Sequence, residues 1–244
     1  MRIKTLLLTG LLLSAVAAVN AQNENQANSL YREGKFEEAI PIYQELSSKN
    51  PDNPYLHYNL GNAYIKTNRL GKAVASHMRA FMLLPRDSDI RYNLAFSLKR
   101  AGEELVPAGV PAIAHRLYYM FSSSELSGIV WILVWLSCIS LSALILGNNG
   151  KAFLKPLCTA SCIALCFFGA WKLMRSQTEW SNVAVVAEGI AEVRGGPADT
   201  FGASATVPEG HIVDILDSKE EWYEVGIKKE GIRGWIKKSS LERI

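Results

Sequence analysis

Hydrophobic and polar positions change their spacing along the chain, and each change marks a different kind of structure. Residues 22–106 place apolar and small residues three and four apart, the spacing of helices that pack on one face. Two later runs, 127–146 and 153–174, are almost wholly apolar. From residue 182, short apolar runs alternate with Gly, Pro and charged residues, which is typical of β-strands. The pattern predicts a multi-domain chain with an all-α part, two transmembrane helices and a small all-β barrel.

The first 21 residues have the form of an export signal. Arg2 and Lys4 give a basic start, an apolar run follows, and Val19-Asn20-Ala21 has the form of a cleavage site. The apolar run is about fifteen residues long, short of the ~20 that a membrane-spanning helix needs. We therefore expect cleavage after Ala21 and export of everything that follows, with an uncleaved anchor as the alternative.

A helical motif recurs at a spacing of 34 residues, the distance between Pro51 and Pro85. The matching positions are Leu30, Gly34, Phe36, Ala39 and Tyr43 in the first copy and Leu60, Gly61, Tyr64, Leu70, Ala73, His77 and Ala80 in the second. This recurrence resembles the tetratricopeptide repeat, which implies pairs of packed helices over residues 22–106. A third copy begins at Ser88 and stops after Gly102, so we expect one capping helix. An array this short needs support, because about three repeats are usually required for stability.

The resemblance to tetratricopeptide repeats implies a concave groove lined by the first helix of each pair. By position, the groove residues are Tyr55, Tyr58, Asn62 and Lys66 of the second copy and Tyr92, Phe96, Lys99 and Arg100 of the third. Aromatic side chains give a large contact area at a low entropic cost, and Asn and Lys can bind a peptide backbone or an acidic side chain. The groove is therefore a candidate peptide-binding site. The alternative is that Tyr58 and Tyr92 only shield the packing between helices.

Two apolar segments, 127–146 and 153–174, predict transmembrane helices. The first contains no charge, and the second carries lysines only near its ends, at Lys155 and Lys172. Both segments are long enough to span a bilayer, and the two lysines can extend their amines towards the headgroups.

The segments around the spans indicate how the chain is oriented. The connecting residues 147–152 carry Lys151 and no acid, which favours the cytoplasmic side. Residues 107–126 predict a proline hinge and an interfacial segment that contains Arg116 and several aromatic residues. With an export signal at the start, both soluble modules are expected on the periplasmic side of a bacterial inner membrane.

A linker, 175–181, leads to a C-terminal segment, 182–244, that predicts a small barrel of five strands. The strand-like runs are residues 183–186, 191–193, 212–216, 222–225 and 234–236. The pieces VRGGP (193–197), VPEG (207–210), EWYEV (221–225) and GIRGWI (231–236) resemble bacterial SH3 domains in type and order.

The aromatic pair Trp222 and Tyr223 is the candidate ligand surface of this SH3-like domain, as an exposed platform. The alternative is that one of Trp222 and Trp235 fills the barrel core. Lys237 and Ser240 stand where polyproline-binding SH3 domains carry Pro and Tyr, so this ligand class is not expected.

Composition and charge exclude several classes of function. The formal net charge is +3 without a clustered basic face, so we do not expect nucleic-acid binding. All four cysteines lie in the apolar runs, so the soluble parts offer no disulfide framework. The four histidines are scattered and form no nucleophile or metal-binding motif with their neighbours. We therefore expect no enzyme activity, no metal and no cofactor.

The order of the parts resembles the BatE-type aerotolerance-operon proteins. That resemblance implies an inner-membrane scaffold that works beside von Willebrand A-domain membrane proteins and a MoxR-type ATPase in tolerance of oxidative or envelope stress. The residues themselves predict an adaptor that binds protein partners through the groove and the SH3-like module. The alternative is a cell-wall protein whose SH3-like module binds or senses peptidoglycan.

Overall fold

The computed structural model describes residues 21–146, 153–178, 182–227 and 230–244. The predicted signal peptide, apart from Ala21, lies outside these residues, as do the predicted cytoplasmic loop and residues 179–181 of the predicted linker. The helices are α1 (described over 21–32), α2 (Phe36–Lys49), α3 (Pro54–Lys66), α4 (Leu70–Leu83), α5 (Ser88–Arg100), α6 (Ala112–Tyr118), α7 (Ser123–Leu146) and α8 (Leu154–Thr178). The strands are β1 (Val183–Val186), β2 (Ile190–Arg194), β3 (Ala203–Pro208), β4 (Ile212–Lys219), β5 (Trp222–Ile227), β6 (Ile232–Lys237) and β7 (Leu241–Arg243).

Helices α1 to α5 form the repeat region, each packed against the next. The Tyr43 hydroxyl of α2 donates to Asn28 of α1 at 2.6 Å. Helices α3 and α4 approach closely at Gly61, where a Cβ atom would overlap the ring of His77. The carboxylate of Asp87 caps α5 by accepting from two backbone N–H groups. Small residues and caps therefore stand at the helix contacts that the repeat pattern predicts.

Two long helices, α7 and α8, pack side by side and are apolar and long enough to cross a membrane. At mid-length the Ser137 hydroxyl donates to the Ser161 hydroxyl at 3.1 Å. Most other side chains of the pair point outward, and Trp131 and Trp135 are 63% and 66% exposed. Outward-facing indoles are typical of a helix in contact with lipid, because the lipid removes their apolar surface from water.

The segment before the first span is more regular than the predicted hinge. Residues 112–118 form helix α6, and α7 begins at Ser123 rather than at residue 127. A capping box explains the earlier start: the Glu125 carboxylate accepts from the Ser122 N–H at 2.8 Å, and the Ser122 hydroxyl accepts from the Glu125 N–H at 3.2 Å.

The C-terminal domain is one antiparallel sheet of seven strands in the order β3-β2-β6-β5-β4-β1-β7. Strands β3 and β7 were not among the five predicted strands, because β3 begins with small residues and β7 is only three residues long. Gly234 lets β6 approach β2, since a Cβ atom there would lie 2.6 Å from Val193 Cγ1. Trp222 and Trp235 are both buried, at 6% and 9% exposed.

Strand β1 joins the repeat region to the SH3-like domain. All four of its residues, Val-Ala-Val-Val, are buried, because its two faces lie in different cores. Val183 and Val185 face the helices, whereas Ala184 and Val186 face the interior of the β domain. The helical side of this shared core consists of Val74, Ala75, Met78, Ala80 and Phe81 of α4, Ile90, Leu94 and Leu98 of α5, and Ala101.

Polar contacts along α4 fix the same interface. Arg69, the residue before α4, makes no side-chain cap, and the Glu209 carboxylate of the β domain accepts instead from the Gly71 N–H at 2.8 Å. Lys72 pairs with Glu188 at 2.5 Å. A Cβ atom at position 71 would overlap the Val186 carbonyl oxygen, so glycine is required for this approach.

The interface also limits how the two domains can lie relative to α7 and α8. The repeat region precedes α7, the β domain follows α8, and the two domains are in contact. Arg79 of α4 reaches Glu242 of β7 at 2.7 Å. If α7 and α8 span the bilayer as a pair, the two domains lie on the same side of it.

Replacing Gly71 by Ala is expected to destabilise the protein by about 1–3 kcal/mol, because the added methyl group pushes α4 away from β1. Urea unfolding of the full-length protein in detergent measures this change. Gly195→Ala is the matched control, since a Cβ atom there meets open space, and it should stay within about 0.5 kcal/mol of wild type. Equal stability of the two variants would contradict the close contact at Gly71.

Candidate functional site

A groove of about 370 Å³ runs across the first helix of each repeat. Its lining comes from α1, α3 and α5, and consists of Tyr31, Asn62, Ile65, Lys66, Tyr92, Asn93 and Phe96. These helices present one face to the groove because the neighbouring helices α2 and α4 cover their other side. Two exposed aromatic residues of the repeat region, Tyr92 and Phe96, lie in this groove.

Four of the eight predicted groove residues line this groove: Asn62, Lys66, Tyr92 and Phe96. Tyr92 is 72% exposed and Phe96 is 43% exposed. The exposed part of each ring is available to a ligand.

Tyr31 and Ile65 also line the groove, although they were not predicted. They stand 34 residues apart, at the same place in successive copies, so the repeat register contained the signal. The prediction stopped at the second and third copies and therefore missed the contribution of α1.

Four predicted residues lie outside the groove lining. The Tyr58 hydroxyl accepts from the Asn93 side chain at 2.9 Å, and its ring packs on the shared core, which agrees with the packing alternative. Tyr55 is half exposed at the start of α3. Lys99 and Arg100 are exposed at the end of α5, where the Arg100 guanidinium lies 5.9 Å from the centre of the Phe96 ring.

The charge around the groove is positive. Lys66 belongs to the lining, no lining residue is acidic, and Arg100 lies beside Phe96. A peptide that combines an apolar or aromatic side chain with a carboxylate would find both kinds of partner here.

A buried histidine supports the floor of the groove. His77 of α4 is fully buried, with Nδ1 2.8 Å from the Ser97 hydroxyl and Nε2 3.2 Å from Asn62 Oδ1. Burial lowers the pKa of His77 to about 4, so its ring is neutral at neutral pH. The neutral ring bridges Ser97 of α5 and Asn62 of α3, and the contact at Nε2 holds the Asn62 side chain against the floor of the groove.

The predicted aromatic surface of the SH3-like domain has a different geometry from the one expected. Trp222 and Tyr223 are consecutive residues of β5, so their side chains point to opposite faces and cannot form one platform. Trp222 is buried, and only its edge lines a cleft of about 240 Å³. Two cations lie over its indole, with the Arg194 guanidinium at 6.0 Å and Lys237 Nζ at 5.4 Å. Tyr223 packs partly against the domain core.

Among the described residues, no group of three or more His, Cys, Asp or Glu side chains is placed to hold a metal ion. His57 and His77 are packed within the repeat region. His57 bonds the Pro51 carbonyl oxygen at 2.8 Å, and burial lowers its pKa.

Two family models match the chain, one in the repeat region and one in the β domain. A family model described as TPR repeat matches residues 27–68, and one described as bacterial SH3 domain matches residues 187–242. No curated protein matches the chain. Together with the fold, these matches confirm the prediction of helical repeats followed by an all-β SH3-like domain, with two candidate membrane helices between them. Both families are typically interaction modules rather than catalytic domains.

Acidification from pH 7 to pH 5 is expected to cost about 2 kcal/mol of unfolding free energy through His77 alone. The pKa of this residue is about 4 in the fold and about 6.5 in the unfolded chain. Between those values the unfolded state binds the extra proton, so stability falls as the pH falls. Urea unfolding of full-length wild type and His77→Gln at both pH values isolates the contribution of His77 to the pH dependence, because all other titratable groups are the same in the two proteins. Equal pH dependence in the two proteins would show that His77 is not buried as a neutral ring.

Proposed function

We propose that this chain is a membrane-anchored adaptor that holds a protein partner by a peptide segment bound in the repeat groove. The exposure of Tyr92 carries the proposal, because a tyrosine that is 72% exposed leaves most of its surface open to a ligand. Aromatic residues in a concave site are typical of the positions that dominate binding energy at protein interfaces. The positive charge beside them selects a segment with an acidic residue.

The proposal places the adaptor in the inner membrane of a bacterium with both soluble modules in the periplasm. The bacterial SH3 match and the two apolar helices support an envelope location, and the contact between the domains supports a common side. The export signal predicted over residues 1–21 supports the periplasmic side rather than the cytoplasm.

The order of modules supports a more specific role. Because that order resembles BatE-type proteins, we propose von Willebrand A-domain membrane proteins as the partners and tolerance of oxidative or envelope stress as the process. In this arrangement α7 and α8 bring the adaptor to partners in the same membrane. Binding by the groove then selects among them.

A photo-crosslinking amino acid at position 92 of the full-length protein in cells tests the groove. We expect it to capture a membrane protein, identified by mass spectrometry, while the same group at position 55 does not. Tyr55 is a suitable control because it is also a half-exposed tyrosine of the repeat region but lies outside the groove lining. Tyr92→Ala should weaken co-purification of the captured protein roughly 30-fold, the loss typical of a binding hot spot.

Identical adducts from positions 92 and 55 would remove the groove from the mechanism. Capture of a soluble protein or of von Willebrand A-domain proteins at position 92 would separate the general adaptor role from the more specific one. Tyr58→Ala is unsuitable for this experiment, because its loss would disturb the core and the bond to Asn93.

A second candidate function, binding of peptidoglycan, rests on the cleft beside Trp222. Arg194 and Lys237 lie over the buried indole, and each is paired with a partly exposed acid, Glu192 and Asp199 respectively. A carboxylate of a wall peptide can replace such an exposed pair at little cost, since exposed ion pairs contribute less than about 1 kcal/mol. The edge of Trp222 then offers an apolar contact to the same ligand.

Retention of the full-length protein on purified sacculi tests this second function. Lys237→Gln should reduce retention roughly tenfold if its amine binds a wall carboxylate. Lys219→Gln is the matched control, because Lys219 also lies over a tryptophan, Trp235, but outside the cleft. Equal retention of the two variants would exclude the cleft as a wall-binding site.

A further inference from the structure

A second cleft, separate from the groove, lies beside the first membrane helix. Its volume is about 450 Å³, and its lining combines Arg86, Arg91 and Arg116 with the apolar side chains of Leu117 and Met120. We call it the arginine cleft. It is formed where the end of α4 and the start of α5 meet α6, and none of these side chains belongs to the sites described above.

The arginine cleft holds more positive charge than its surroundings neutralise. Arg86 pairs with Glu125 at 2.5 Å. Arg91 donates to the Pro85 carbonyl oxygen at 3.2 Å and lies over the Phe81 ring, so neither of these partners is an anion. Arg116 is exposed and forms no ion pair with any residue that the structure describes. Three guanidinium groups therefore share one carboxylate.

Repulsion within the cleft is visible in the ionisation of Arg91. Burial lowers the pKa of its guanidinium, and the positive charge of Arg116 lowers the pKa further. An anion between these two side chains would remove the repulsion. Guanidinium groups bind phosphate particularly well, because their planar N–H donors match two phosphate oxygens at once.

The cleft lies beside the start of α7, the point at which the proposed membrane span begins. Glu125, the partner of Arg86, is in the first turn of α7. Leu117 and Met120 are 55% and 45% exposed although they are apolar, and they precede α7 by only a few residues. The Phe121 ring packs on Trp171 of α8 at 5.9 Å, which ties this segment to the other membrane helix.

We propose that the arginine cleft binds the headgroup phosphate of an anionic phospholipid, with Leu117 and Met120 against the apolar part of the same molecule. A free phosphate would leave these two side chains in water. A phospholipid covers both the cationic and the apolar part of the lining, and it is present at the height of the cleft. The proposal rests on the membrane placement of α7 and α8 proposed above, and it does not depend on the groove or on its partner.

Native mass spectrometry of the full-length protein in detergent tests the proposal with phosphatidylglycerol and phosphatidylcholine as probes. Wild type is expected to retain phosphatidylglycerol in preference to phosphatidylcholine. Arg116→Gln should reduce bound phosphatidylglycerol about fivefold, the effect of one basic residue at a membrane surface. Arg32→Gln is the matched control, because it removes the same charge from an exposed position on α1 and should leave retention unchanged.

Arg116 is the first choice for substitution, because its side chain is exposed and its replacement should leave the fold intact. Arg91→Gln provides a second test, with circular dichroism to verify that the variant is folded. Wild-type retention of phosphatidylglycerol in both folded variants would overturn the proposal. Complete displacement of the lipid by millimolar inorganic phosphate would also overturn it, since the site would then recognise the free anion. Equal binding of phosphatidylglycerol and phosphatidylcholine by wild type would overturn the proposal as well, because the cleft would then not select an anionic lipid.

Discussion

Strand β1 buries Val183 and Val185 against helices α4 and α5, and the position of the SH3-like domain relative to the repeat region depends on this contact. The repeat array stops after α5, which would leave Met78, Phe81 and Leu94 without cover on one side. In a longer array, a further helix would bury them. Here the SH3-like domain takes that place, and Glu209 also supplies the cap that α4 lacks. The short array thus obtains its missing support from the same chain.

This packing relates the sites to the membrane. Since the repeats come before α7 and the β domain follows α8, their contact requires both to lie on one side of the spans. Arg175 joins α8 to the segment between α6 and α7. Its side chain donates to the Phe121 carbonyl oxygen, and its guanidinium lies 5.2 Å from the centre of the Tyr119 ring. The contact between the domains therefore places the groove and the SH3-like cleft on the same side of α7 and α8 if these helices cross a bilayer as a pair.

Local patterns in the sequence predicted the repeats, the spans and the β domain, because each depends on spacing within a short segment. The contact between domains depends on residues more than 80 positions apart, and the prediction missed it. One signal was present: the unbroken run Val-Ala-Val-Val of β1 is typical of a strand buried on both faces. In the groove, the repeat register located Tyr92 and Phe96, whereas the roles of Tyr58 and Trp222 depended on side-chain packing that spacing does not encode.

Zero-length carbodiimide crosslinking of the full-length protein in native membranes tests the docked arrangement most directly. The Lys72 amine and the Glu188 carboxylate lie 2.5 Å apart across the interface, so the account predicts an amide bond between peptides from the two domains. The Lys237–Asp199 pair within the β domain, at 2.8 Å, is the internal control. Formation of the control link without any link from Lys72 to Glu188 would contradict the docking of the SH3-like domain on α4.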